Sequence, residues 1–583
     1  MKFFTMNKSE DNYINDGILF FSQRIDEMLN HSTLHIHKAP LYNTFLLARE
    51  YLVTSKNVAK KVINESHLQY VYEEFLESFN NDIIIMNNIS EYDRTVLIQK
   101  LKGSNESGRT KLMHYILHLL GDYHSWCKEY IINIVPQEKE KKKIERALRC
   151  YIPGLIEGGY SAEYIFYHNK STFSQEGKSD TELLSEFLER FDFKKREYCV
   201  YVALHNSVSE FKDILEKRLN VVFDFDRTEA KGFKFYEKEY ILAKLEIKAL
   251  DKQKAAETAY RILGLFYSFY RFLNDDRKKW YENKCMVKLS SDDYAFLDFK
   301  IHKYNYPQYK ENNASELSSS IITSLITKAH CSFSQIEKVV SLHNIALEAT
   351  DLSNGFLNFW SILEVLFIHD NDCAKIKEIE KKLIPILQKE YVSALFDDLD
   401  TNLKDNLSDE QYDEILNSVE GNDNRERIAK IVIKTENDEL REKLYSYLSN
   451  YPILRSRVAQ LNLICEKKSR FKTELERFTR RITWHLIRLY RTRNSIIHSG
   501  DVSKNLIFLG EHLHSYVDAC VWEILFKLTS EKQLCTIENV VIDVTFEIEK
   551  IIETLSSDDI FSDEDLLIFC NSVKQIIMSG DEE

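Results

Sequence analysis

Six prolines and fifteen glycines are spread over 583 residues. Sandwiches and barrels need frequent tight turns, so this scarcity of backbone breakers points to long helices and short connections. Ten cysteines occur without a single C-x-x-C pair. That pattern speaks against zinc ribbons and disulfide scaffolds, and reduced thiols in a cytoplasmic protein are the simplest expectation. No apolar run reaches the roughly 18 residues needed to cross a bilayer. The opening stretch, MKFFTMNKSEDNY, turns polar and acidic too soon for a secretory signal. No membrane association is expected. Also missing are H-E-x-x-H and G-x-S-x-G, and the lone HIH at His35 and His37 is too small a group to hold a metal. Neither a metal nor a cofactor is expected. The stretch GSNESGRT, Gly103 to Thr110, has P-loop spacing but lacks the preceding buried strand, and Arg109 replaces the lysine. It reads as a turn between helices.

Apolar residues make up 44% and aromatics 12% of the chain, a composition that folds. The length exceeds one core, so several domain-sized units are expected. Residues 1–175 read as helical, with apolar residues three and four apart in PLYNTFLLAREYLVTS. Residues 176–332 change character: EYCVYVAL, NVVFDFD, EYILAKLEIKAL and CMVKL read as strands. In the third of these, Ile241, Ala243, Leu245 and Ile247 alternate onto one side. Asp251 is placed to cap a following helix, whose aromatics Phe266, Tyr267, Phe269, Tyr270 and Phe272 are read as core. This segment is a small α/β module with a possible sensing or regulatory role. Residues 333–583 are helical again and end in an acidic tail. The whole is a mainly α, multidomain chain.

The net charge of −14 disfavours nonspecific nucleic-acid binding, but charge acts locally. From Glu466 to Arg493, ten Lys and Arg stand against three Glu. A solvated basic helix face is the plain reading of such a run. One detail departs from it. The apolar stripe of this helix runs Leu475, Phe478, Ile482, Leu486, Leu489, and the next position is Arg493, followed by Ile497. A charge on a packing stripe must be paired or put to use, because burying it alone is costly. Asn494 and His498 line up one step around, in the row of Tyr490. Gly500 is a helix-ending residue, which puts His498 in the last turn, where the helix dipole favours a cation. Arginine and histidine suffice for metal-free RNA cleavage. The ribose 2′-OH attacks the adjacent phosphate, histidine moves a proton, and arginine holds the developing charge on the phosphate oxygens.

Arg493 to His498 resembles the R-x(4–6)-H motif of the HEPN superfamily, in the form R-N-x-x-x-H. LYRTRNSIIHSG is similar to the ApeA-type HEPN domains of bacterial phage-defence proteins, as is LSNGFLNFWSILEVL with its Trp360 and Glu364. The likeness spans about residues 335–530. The same loose spacing recurs elsewhere, at Arg480/His485 for example; Asn494, the helix end and the stripe position single out Arg493/His498. The resemblance implies a helical bundle and a metal-independent endoribonuclease, with Arg493 and His498 catalytic and Asn494 in support. Arg488, Arg491 and Tyr490 would contact RNA, and Trp360 and Glu364 would support the site. It further implies a homodimer through the 475–498 helix and single-stranded RNA, tRNA included, as substrate. An abortive-infection role answering a phage-derived trigger goes with these. The competing expectation is a noncatalytic HEPN module that dimerises or senses a nucleotide.

Overall fold

Short polar side chains set the helix starts in the computed structural model. Asn43 accepts from the Leu46 N–H, Asn105 from Gly108, Asp351 from Asn354 and Thr536 from Asn539. Each satisfies an amide that the first helical turn leaves without a partner. The structure describes residues 2–3, 15–30, 33–274, 280–290, 293–299, 332–349, 351–368, 375–530 and 536–569, without the side chains of 269–274. Helices dominate among them, and no described helix is long and apolar enough to cross a membrane. The P-loop-like stretch is a turn: one helix ends at Gly103 and the next begins at Glu106.

The chain divides into two compact units, Met1–Tyr151 with Tyr304–Glu583, and Ile152–Lys303. This differs from the three consecutive segments expected. The amino-terminal helices belong with the carboxy-terminal bundle, because their buried partners lie there. In the first unit, α1 (Asp16–Leu29), α2 (Thr44–Ala59), α3 (Ser66–Asn81) and the start of α4 (Lys141–Gly158) precede the break.

The second unit holds one antiparallel sheet, ordered β2-β3-β1-β4-β5. Its strands are β1 (Arg196–His205), β2 (Val221–Val222), β3 (Tyr240–Ala249), β4 (Tyr281–Lys288) and β5 (Tyr294–Asp298). Ala243, Leu245 and Ile247 of β3 lie on the core side as their alternation predicts, beneath α5 (Lys252–Asn274). Phe266 and Tyr267 pack against that core. The side chains of Phe269, Tyr270 and Phe272 lie outside the described residues. The run NVVFDFD forms only a two-residue strand, and β5 has no counterpart in the sequence reading.

After the break the first unit resumes with α6 (Phe333–Glu348), α7 (Leu352–Phe367) and α8 (Lys375–Asn406). Then come α9 (Pro452–Ile464), α10 (Lys468–Ser499), α11 (Leu506–Ser530) and α12 (Ile537–Thr554). Helix α7 packs on α6, α8, α10 and α11, and α8 packs on α10, α11 and α12. The shared core includes Phe356, Phe359, Trp360, Leu363, Leu475, Phe478, Leu486 and Leu489, all buried.

In the second unit Asp251 does more than cap α5. Its carboxylate accepts from the Lys254 N–H at 2.8 Å, the Ser161 N–H at 2.7 Å and the Ser161 hydroxyl at 3.2 Å. Ser161 in turn caps the Ala162–Phe173 helix, so one buried carboxylate ties two helix starts. Asp251→Ala should cost about 2–3 kcal/mol, a lost cap plus an unsatisfied buried amide, read in the second unit's denaturation midpoint. Burial raises the Asp251 pKa to about 6, against the backbone donors that lower it. Its contribution should thus be full below about 4 and lost as pH rises through 6. Asp251→Asn should flatten that slope, and an unchanged slope would contradict this placement.

Candidate functional site

Helix α10 is the scaffold of the site. Its stripe is buried from Leu475 through Leu489 and then leaves the core: Arg493 is half-buried and Ile497 is 47% exposed. The left-handed turn comes at Gly500, with φ of 68°, a conformation that costs residues with a Cβ. His498 is therefore in the last turn, exposed, and its imidazole makes no hydrogen bond or ion pair with a described residue.

Arg493 is held from two sides. Nη2 lies 3.4 Å from Glu364 Oε1 on α7, and Nη1 donates to Asn494 Oδ1 at 3.2 Å. Trp360 fixes Glu364 in turn, donating from Nε1 to the same Oε1 at 3.0 Å. Trp360 is buried, and its ring lies 5.7 Å from that of Tyr490. The structure thus brings Trp360, Glu364, Tyr490, Arg493 and Asn494 together. It does not bring His498 into contact with them. Residues five apart on a helix differ by about 140° in direction and about 7.5 Å in rise.

Arg488 and Arg491 take positions unlike those expected of RNA contacts. Both are buried and neutralised within the chain. Arg488 Nε and Nη2 donate to the two oxygens of Glu50 at 2.9 and 2.8 Å, and Nη2 also reaches Glu74 at 2.5 Å. Arg491 donates to Glu50 Oε1 at 2.6 Å and to Thr54 Oγ1 at 2.9 Å. Burial alone would raise the Glu50 pKa, but the two arginines overcome it and hold the carboxyl below its ordinary value. Glu74 goes the other way: burial and the neighbouring Glu50 charge outweigh Arg488. Tyr490 is half-buried, with His67 stacked on it at 5.5 Å. Arg488 and Arg491 hold the helix in place and present no open face to a phosphate.

The same packing limits how much of α10 a second copy could meet. The apolar stripe of α10 faces the bundle from Leu475 through Leu489, and Arg488 and Arg491 face α2 and α3, while Glu476, Arg480 and Arg481 are exposed. Its last turn and the following residues, with exposed Ile497, His498 and Val502, form a second exposed stretch. The alternative Arg480/His485 spacing is closed off as well. His485 Nδ1 lies 2.9 Å from the Tyr516 hydroxyl, and burial and then Arg488 push its pKa down to about 3.

One constellation has no counterpart in the sequence reading, which expected no metal ligands. His343 on α6 meets His514 and Asp518 on α11. Spacing shows His514 and Asp518 on one helix face. Nothing local announces His343, 171 residues before His514.

No protein-family model matches the chain, and comparisons with curated proteins and with solved structures return no match. The stability of the basic helix separates structural from functional arginines. Arg488→Ala leaves Glu74 and half of Glu50 without their buried partner and should cost about 3–5 kcal/mol. Arg493→Ala breaks a half-exposed pair and should cost about 1 kcal/mol or less. Urea titration of both variants checks this, and equal losses would contradict it.

Proposed function

We propose that this chain is a metal-independent endoribonuclease of the HEPN type, with Arg493 and His498 as its catalytic residues and Asn494 in support. The observation that carries the reading is the Trp360–Glu364–Arg493–Asn494 chain of contacts beside an exposed helix-end histidine. A core arginine would be fully enclosed, and a surface arginine would not be held from a buried tryptophan. This one is oriented yet accessible, as a phosphate-binding guanidinium must be.

In the reaction the ribose 2′-OH attacks the adjacent phosphorus. The 2′-O–P bond forms and the P–O5′ bond breaks, giving a 2′,3′-cyclic phosphate and a 5′-OH. His498 moves the proton at one of these oxygens, and Arg493 stabilises the charge on the non-bridging oxygens. Because the pair is splayed around the helix, a second copy docked at the exposed 497–502 end would complete the set of acid, base and anion holder. The substrate is single-stranded RNA, such as a tRNA loop, whose 2′-OH can swing into line. Host RNA cleavage of this kind fits an abortive-infection effector released by a phage-derived trigger.

A separate feature favours a nucleotide-sensing role as the second reading. A cavity of about 450 Å³ in the first unit is lined by Lys142, Arg146, Arg149, Arg477 and Arg481, with Glu145 and Glu474 among the acids. Arg149 makes no hydrogen bond or ion pair with a described residue. Burial and Arg481 push its pKa down to about 10. An anionic ligand of nucleotide size would relieve that charge. ATP or cyclic-nucleotide binding by calorimetry, lost on Arg149→Ala with Arg481→Ala, would support this role.

Arg493→Ala and His498→Ala should each lower RNA cleavage by at least 10³-fold, the scale of a lost general acid–base or anion-holding group, with unchanged circular dichroism. Short assays in EDTA should still cleave and leave 2′,3′-cyclic phosphate or 3′-phosphate ends. Wild-type cleavage by either variant, or 5′-phosphate ends made only with Mg²⁺, would overturn the assignment. Ile497→Glu should weaken self-association and cleavage together, as read by sedimentation and by the protein-concentration dependence of the rate.

A further inference from the structure

His343, His514 and Asp518 converge at the junction of α6 and α11 in a geometry set by their nitrogen and oxygen atoms. His343 Nε2 lies 2.9 Å from Asp518 Oδ1, His514 Nε2 lies 3.1 Å from Asp518 Oδ2, and the two Nε2 atoms are 3.2 Å apart. A zinc ion with bonds of about 2.0–2.1 Å in a tetrahedron holds its ligand atoms about 3.3 Å from one another. The two imidazole nitrogens face different oxygens of Asp518, and one ligand atom from each of the three residues lies within 4.8 Å of the others, a spread that small side-chain adjustments close to that figure.

Two features distinguish the cluster from a surface ion pair. The Phe359 ring lies over both imidazoles, with centroids 4.6 Å from His514 and 5.6 Å from His343, so one side is dry. The His514 side chain is 4% exposed, whereas His343 at 26% and Asp518 at 18% leave an open side where water could be a further ligand. The arrangement also has an electrostatic oddity. If each Nε2 donates its proton to one carboxylate oxygen, two N–H dipoles lie side by side only 3.2 Å apart, and like partial charges repel. A cation accepting both nitrogen lone pairs and one carboxylate oxygen removes that conflict.

We propose that His343, His514 and Asp518 bind a divalent first-row transition metal ion, zinc being the best match to two imidazoles and one carboxylate. The ion staples α6 to α11, the helix that follows the candidate catalytic turn. The role is structural. The site lacks any contact with Arg493 or His498 among the described residues, so it does not alter the metal-free chemistry proposed for them, and either reading can fail without the other.

The test uses the full chain purified without a metal-binding tag. Elemental analysis should find about one zinc, or another first-row divalent ion, per chain. The protein stripped by chelation should take up one Co²⁺ with the visible absorption of a four- or five-coordinate ion, competed away by Zn²⁺. His343→Gln removes the most exposed ligand and should weaken Zn²⁺ binding by at least tenfold, as should Asp518→Asn. Both should lose the rise in Tm that added Zn²⁺ gives the stripped wild type. If one variant fails to fold, the other carries the comparison, and the wild-type stoichiometry stands without either. Absence of metal from the purified chain together with no saturable Co²⁺ uptake would overturn the proposal and leave a hydrogen-bonded His–Asp–His group. Uptake undiminished in both variants would overturn it too.

Discussion

Glu50 takes hydrogen bonds from both Arg488 and Arg491, and much of the first unit follows from that grip. A buried guanidinium without a carboxylate would cost several kcal/mol, and so would the carboxylate alone. Helix α10 therefore stays docked on α2 and α3, at the one rotation that satisfies all three groups. A second ionic knot repeats the logic: Arg457 on α9 is held by Glu27 at 3.0 Å, and Arg24 by the same carboxylate at 2.8 Å. The Arg457–Glu27 pair and the Glu50 clamp join amino-terminal helices to helices more than 400 residues later. That is why the amino-terminal helices are not an independent domain but one wall of the bundle.

What the sequence made legible is what periodicity encodes. The stripe from Leu475 to Leu489, the alternation in β3, the cap at Asp251 and the left-handed Gly500 depend on neighbours at most a few positions away. The partners of charges do not. Glu50 is 438 residues from Arg488, so a basic run and a buried ionic clamp look alike on the page. The family resemblance assigned Arg488 and Arg491 to RNA contact, while burial shows both tied into the fold. Strand β5 escaped for a related reason: its residues alternate between exposed and half-buried at a sheet edge, which leaves no strong apolar pattern.

Arg493 shows where a local anomaly was informative. Its place on the apolar stripe required an explanation, and a partner chain was one candidate. Within this chain the answer is Glu364, itself fixed by Trp360. The pairing is looser than the Glu50 clamp, one nitrogen at 3.4 Å instead of two below 3.0 Å. A carboxylate held at that distance can orient a guanidinium without saturating it. A phosphate could then share or replace the contact, whereas it could not dislodge Glu50 from Arg488 and Arg491 without opening the core.

Burial also decides which histidine can do chemistry on this helix. His485 and His498 both follow an arginine by five residues. His485 lies against Tyr516 and His512 and beside the Arg488 cation, so its neutral form is strongly favoured. His498 stands one turn from a left-handed stop, open to solvent, past the point where the apolar stripe leaves the core. The two histidines share a helix and a sequence spacing, yet only His498 is exposed. The difference comes from where the core ends, and that end is set by the fold.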